Sequence, residues 1–200
     1  MYGRIFRPFT VGGFIVVPAG EQLPPGEGIP LMLGKKGAFG SGEHETTVSC
    51  LEELERLPGI SGMRCLDLGS GTGILAIAAA RLGAASVVAI DIDPAAAASC
   101  TDNARLNGMT DRVFPLCGEL ACLGDGHFDL VMANIYADIH LALAGEMVAT
   151  TRPGGYLLLS GIPTQDNFDV LCLFERKGCR LLESRYLEEF VTFLFQRTTG

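Results

Sequence analysis

Asp67, Gly69, Gly71 and Gly73 alternate across the junction between a short apolar strand, Cys65–Leu68, and an alanine-rich helix beginning at Ile74. Gly69 and Gly71 lack Cβ, so the backbone can turn sharply and approach a ligand, while Gly73 lets the new helix pack against the strand it has just left. Such a turn cradles a nucleotide. The dinucleotide fingerprint needs glycine at its sixth position, where this chain has Ile74, so a pyrophosphate is not the favoured guest. A carboxylate at Asp67 disfavours phosphate and favours a cationic centre, an amine or a sulfonium. The next strand, Val87–Ile90, ends in Asp91 with Ile92 beside it, at the separation at which such folds place an acid on the ribose hydroxyls. A ribose without a pyrophosphate, next to a cation, fits S-adenosylmethionine.

A third chemical position is Asn134, at the end of the apolar strand Phe128–Ala133. Ligands of open α/β sheets sit beyond the carboxyl ends of the strands, where strand order reverses, so Asn134 is aimed at the same groove. Its amide oxygen can accept from a nucleophilic amine and orient the nitrogen lone pair for in-line attack on a sulfonium methyl.

Asp67 to Gly73 together with Asp91 resemble the first two motifs of the Rossmann-like S-adenosylmethionine-dependent methyltransferases. A narrower likeness lies upstream, where Ala38-Phe39-Gly40-Ser41-Gly42-Glu43-His44-Glu45-Thr46-Thr47 resembles the signature of the bacterial methyltransferases that modify ribosomal protein L11. That family usually has Thr for Ser41 and Pro for Glu45. Its loop closes over the methionine end of the cofactor, which implies contacts from Phe39, His44 and Thr46. Asn134-Ile135-Tyr136-Ala137 and Ser160-Gly161-Ile162 match the same family, and the first departs from the Asn-Pro-Pro-Tyr of amide and adenine methyltransferases. In related methyltransferases the acid after the third strand lies by the adenine amino group, which makes Glu119 or the adjacent Leu120 backbone a candidate contact. A solvated loop carboxylate is the other reading of Glu119, a capping histidine that of His44, and a core contact that of Phe39. The implied activity is methylation of a lysine or N-terminal amine, with His44 helping proton loss, no metal needed and S-adenosylhomocysteine released. Methylation of another protein or a small molecule, a non-catalytic cofactor-binding module and an NAD-dependent oxidoreductase are the competing readings.

The elements that must hold these residues follow from periodicity. Helices are expected at 46–57 (stripe Val48, Leu51, Leu54, Leu57), 74–82, 94–108, 139–150 and 165–177, the last with Phe168, Leu171 and Phe174 inward. With strands at 65–68, 87–91, 112–117 (an edge, given Pro115), 128–133, 156–160, 179–186 and 189–196, they describe an α/β chain. The resemblance implies a Rossmann-like, mostly parallel seven-stranded sheet of order 3-2-1-4-5-7-6 with an antiparallel last strand. Residues 4–7 and 14–17 read as a hairpin appended to that sheet, followed by a Pro/Gly-rich linker. The expected division is hairpin and linker over 1–30 and methyltransferase domain over 31–200. The family normally carries a further N-terminal recognition domain, and this chain begins where that domain's linker would end, which leaves the choice of protein substrate open.

Two hundred residues suit one domain. Seven cysteines without a Cys-x-x-Cys pair read as reduced, mostly buried apolar residues. A net charge of -8 with only three lysines argues against a nucleic-acid surface and leaves a basic protein as a welcome partner. No signal peptide and no bilayer-length apolar run is present, which predicts a soluble cytoplasmic protein.

Overall fold

The structure is a computed structural model that describes residues 7–26, 28–34, 42–123 and 128–199. Among the described residues, ten strands form two sheets. β4 (Arg64–Leu68), β5 (Ser86–Asp91), β6 (Val113–Cys117), β7 (Phe128–Asn134), β8 (Thr151–Pro163), β9 (Cys179–Tyr186) and β10 (Phe190–Arg197) make a seven-stranded sheet of order β6-β5-β4-β7-β8-β10-β9. β4 pairs in parallel with both β5 and β7, so the chain reverses its direction of growth at β4. β10 runs antiparallel to β8 and β9. This is the expected order, with β6 and its Pro115 on the edge, where a missing N–H costs no ladder bond.

Strict alternation along the central strands feeds two cores. Cys65, Leu130 and Met132 face one side with α1 (Glu45–Arg56), α2 (Ile74–Arg81) and α3 (Pro94–Leu106), while Leu66, Val131 and Ala133 face the other. There α4 (Ala137–Thr150) and α5 (Asn167–Arg176) cover them, and Phe174 stacks on Phe195 with ring centroids 5.5 Å apart. In α5 the inward residues are Val170 and Phe174, and Phe168 is 69% exposed. Six residues at about 100° each turn Phe168 roughly 120° away from Phe174, which overrides its apolar character.

The expected amino-terminal hairpin is present, its first strand β1 (Phe9–Val11) running antiparallel to residues 14–16; Arg7 is outside any strand, and 4–6 lie outside the described residues. β1, β2 (Phe14–Pro18) and β3 (Ile29–Leu33) form a separate three-stranded sheet, with β3 parallel to β2, so the expected boundary at 30/31 falls inside a strand. The sheet is not appended to the larger one. Phe14, Val16, Leu31 and Leu33 are buried in the first core, against α1 and α2. Asn107, the C-cap of α3, closes it by accepting from Met32 N–H (2.9 Å) and donating to Met32 O (2.7 Å), as a neighbouring strand would.

Cys50, Cys65, Cys100 and Cys179 are buried, Cys172 is intermediate, and Cys117 and Cys122 are exposed. Burial pushes the thiols of Cys50, Cys65 and Cys100 up to about 12, so they are neutral apolar packing groups. Among the described residues, no helix is long and apolar enough to cross a membrane.

Candidate active site

The turn after β4 is shaped by hydrogen bonds to β5. Gly69 and Ser70 N–H both donate to Ile90 O (2.9 and 3.1 Å), and Gly71 N–H donates to the Asp91 carboxylate (2.9 Å). Gly69 has φ +70°, and a Cβ there would lie 2.5 Å from the Ile135 side chain. Only glycine fits that approach between the first turn and the end of β7. At Gly73 (φ +77°) a Cβ would stand 2.3 Å from Cys100 Sγ, so its missing side chain makes room for α3 rather than for the strand before it.

Beyond the carboxyl ends of β4, β5, β7 and β8 lies a cavity of about 500 Å³. The size suits a nucleoside-sized ligand. Gly69 and Gly71 form its floor, Asp91, Ile92, Asp93 and Ala96 one wall, and Asn134, Ile135, Tyr136, Ile139 and Gly161 the other. His44 and Thr46 from the start of α1 and Phe190 from β10 complete the lining. The described lining contains two carboxylates and no Lys or Arg, which favours a cation over a phosphate.

Asp91 is held by two backbone donors, Gly71 N–H and Asp93 N–H (3.0 Å), which fix its carboxylate at the cavity wall with lone pairs to spare. Asp67 is placed differently from Asp91. It is 2% exposed, is not among the lining residues, and accepts from Ala76 N–H (3.1 Å) in the first turn of α2. It supplies the cap that Gly73, without a side chain, cannot. Burial drives its carboxyl up to about 7; the Ala76 bond opposes this, and the nearby Asp91 charge adds to it.

On the other wall, Asn134 Nδ2 donates to Thr47 Oγ1 (3.3 Å), which turns the amide oxygen away from α1. A Cβ at Gly161 (φ +77°) would meet Ile135 O at 2.5 Å and Asn134 Oδ1 at 3.1 Å, so two acceptors converge where β8 has no side chain. Beneath them Ser160 O accepts from Ile135 N–H (3.2 Å) and from the buried His140 ring (2.9 Å). Burial lowers His140 to about 4, so the ring is neutral with its proton on Nε2.

His44 is the N-cap of α1. Its Nδ1 accepts from Thr46 N–H (3.4 Å) and lies 2.8 Å from Thr46 Oγ1. In the neutral ring the proton is therefore on Nε2, and the lone pair a base would use is engaged at the helix start. Capping, the other reading of His44 from the sequence, is what this geometry supplies.

A family model described as Ribosomal protein L11 methyltransferase (PrmA) matches residues 2–198. The chain belongs to this family. A ribosomal protein L11 methyltransferase of Geobacter sp. (strain M21) is 43% identical over 176 residues, covering 84% of this chain and 57% of that protein. That of Pelobacter propionicus is 40% identical over 198 residues, covering 96% and 64%. The chain thus spans 57% to 64% of the length of these two relatives. The crystal structure of a ribosomal protein L11 methylase from Lactobacillus delbrueckii subsp. bulgaricus superimposes with a TM-score of 0.88 at 28% identity, over 96% of this chain and 99% of that one. An RNA methyltransferase from Salinibacter ruber, solved with S-adenosyl-L-homocysteine, shares the fold alone (TM-score 0.62, 20% identity, 76% of this chain and 92% of that one).

Within this member of the family, His44, Thr46, Gly69, Gly71, Asp91, Ile92 and Asn134 come together as expected from sequence. Asp67 and Gly73 support the turn from behind. Glu119 is exposed on the turn after β6 and does not line the cavity, and Phe39 lies outside the described residues. Sequence reading missed Thr47 as the partner of Asn134, and missed Tyr136, Ile139 and Phe190 as an apolar collar. The second threonine of the upstream signature was a usable signal for Thr47. Phe190 sits in the last hairpin with no local motif to mark it.

Proposed function

We propose that this chain is the catalytic part of an S-adenosylmethionine-dependent protein methyltransferase acting on amino groups, with ribosomal protein L11 as the acceptor and the cytoplasm as its place. One observation carries the reading: the Asp91 carboxylate and the Asn134 amide, on opposite sides of the β4/β7 switch point, open into one cavity whose described lining has no Lys or Arg.

S-adenosylmethionine, when bound, supplies a methyl group on a positively charged sulfur. The residues present fit it. Gly69 and Gly71 would let the backbone approach, Asp91 would accept from ribose hydroxyls, and the exposed Ile92 side chain would cover the adenine. Asp67, buried below the turn, favours a positive group above it. Asn134 Oδ1 and Ile135 O accept the hydrogens of a neutral amine and aim its lone pair into the cavity. Tyr136, Ile139 and Phe190 contact the aliphatic stem that carries the amine. With the His44 acceptor nitrogen engaged, the amine loses its proton to solvent before entering, so catalysis rests on orientation and exclusion of water.

The test is titration calorimetry with S-adenosylmethionine and with NAD, followed by transfer of a labelled methyl group to recombinant L11. Binding of the first nucleotide only, with label on an amine of L11, is expected. Binding of NAD, or label in no protein, contradicts the reading.

A further inference from the structure

Glu45 is the first residue of α1 and stands between two cavity-lining residues, His44 and Thr46. Its carboxylate is committed elsewhere. It accepts from Glu188 N–H (2.9 Å) and Glu189 N–H (3.2 Å), the two central residues of the turn that joins β9 to β10. Leu187 N–H closes that turn on Phe190 O (2.8 Å), and Thr164 holds its far side, its N–H and hydroxyl both donating to Glu189 O (2.9 and 3.0 Å). Two successive amides at a hairpin tip ordinarily point to water; here one carboxylate, with one oxygen for each, takes both. The residue that follows them is Phe190, whose ring lies edge-on to His44 with centroids 5.3 Å apart and planes at 67°. Further along α1, Arg185 of β9 pairs with Glu52 and reaches Glu53 at 3.4 Å, so β9 stays against α1 independently of the tip.

We infer that Glu45 is a positioning residue for the acceptor side of the cavity: by pinning the β9–β10 turn to the start of α1, it fixes Phe190 against His44 and so sets the wall that receives the amine's aliphatic stem. The effect on turnover rests on the amine-transfer reading above; the clamp itself does not. Because Asp91, Gly69 and Gly71 lie on the other elements of the cavity, the nucleoside end of the cofactor is held independently of it.

The variants are Glu45→Ala and Glu45→Gln, the second keeping one acceptor oxygen. In Glu45→Ala the amides of Glu188 and Glu189 exchange about tenfold or more faster with solvent, and the His44 ring protons lose the ring-current shift imposed by Phe190. The kcat/KM for L11 falls about tenfold, mainly through KM, while the S-adenosylmethionine Kd changes by less than about twofold. Glu45→Gln protects one of the two amides and recovers part of kcat/KM. Unchanged amide exchange in Glu45→Ala overturns the clamp. Released amides with unchanged acceptor kinetics, or a cofactor Kd that weakens in step, overturn the positioning role. Should the wild-type chain bind S-adenosylmethionine and methylate no amine, the amine reading fails, and amide exchange and the His44 ring protons, which need no acceptor, still decide the clamp.

Discussion

Asn134 donates its side-chain amide to the Thr47 hydroxyl at 3.3 Å, a bond between residues 87 positions apart that decides which end of the amide faces the cavity. Without the hydroxyl the amide can flip and present a donor where an acceptor is needed. Thr47→Val is expected to lower kcat about tenfold, the worth of one hydrogen bond of about 1–1.5 kcal/mol, and Thr47→Ser to restore most of it. Steady-state kinetics of methyl transfer check this. A Thr47→Val enzyme with full kcat would show that the amide needs no help.

Asp91 takes Gly71 N–H on one oxygen and Asp93 N–H on the other. Asp91→Asn keeps the shape but turns an NH2 toward one of those donors and removes the charge. Calorimetry should find S-adenosylmethionine bound at least about tenfold more weakly, as expected for loss of a charge-assisted pair of bonds. Unaltered affinity would remove Asp91 from the cofactor site.

Two buried groups give stability opposite dependences on pH. Asp67 holds its proton up to about pH 7 when folded but releases it near 3.8 when unfolded, so the folded state binds more protons in that window and stability falls as pH rises through it. His140 titrates near 4 folded and 6.5 unfolded, so the unfolded state binds more protons there and stability rises with pH across that window. The swing is about 4 kcal/mol for Asp67 and about 3 kcal/mol for His140, and between about pH 4 and 6.5 the two slopes largely cancel. Urea denaturation at several pH values should therefore show a rising curve in Asp67→Asn and a falling one in His140→Gln. Parallel curves in the two variants would contradict these assignments.

With the amine losing its proton to solvent before it enters, kcat/KM should climb about tenfold per pH unit below the pKa of a lysine amine, about 10.4. His44→Asn keeps a capping side chain and should keep that slope. His44→Ala should lose about 1 kcal/mol of stability through the cap, again with the slope intact. A flattened pH dependence in His44→Asn would return His44 to the role of base.

What could be read from the sequence was local. Gly69, Gly71, Asp91 and Asn134 are set by short-range spacing within strand–turn–helix units, and the structure brings all four to one cavity. The larger sheet was legible because turn residues punctuate each strand and helix, and its order came from resemblance to a known family. Spacing gives the sequence distance of Asp67 from the turn but not which side of it the side chain occupies; the orphan N–H of Ala76 holds it behind the glycines. Phe190, Thr47 and the Glu45 clamp depend on pairings across tens of residues, which periodicity does not encode. The hairpin strand at 14–17 was legible as β2, but β3 escaped because it pairs in parallel with β2 across a Pro/Gly-rich connection, where no two-residue turn announces the partner.

The central claim is that the Asn134 amide and the Asp91 carboxylate serve one reaction, methyl transfer to an amine. Mass spectrometry of recombinant L11 incubated with this protein and S-adenosylmethionine carrying a deuterated methyl group tests it most directly. The account expects the labelled methyl on an amino nitrogen with the wild-type chain, and its loss with Asn134→Ala while cofactor affinity stays within about twofold. Label absent with the wild type, or transferred at the same rate by Asn134→Ala, would contradict it.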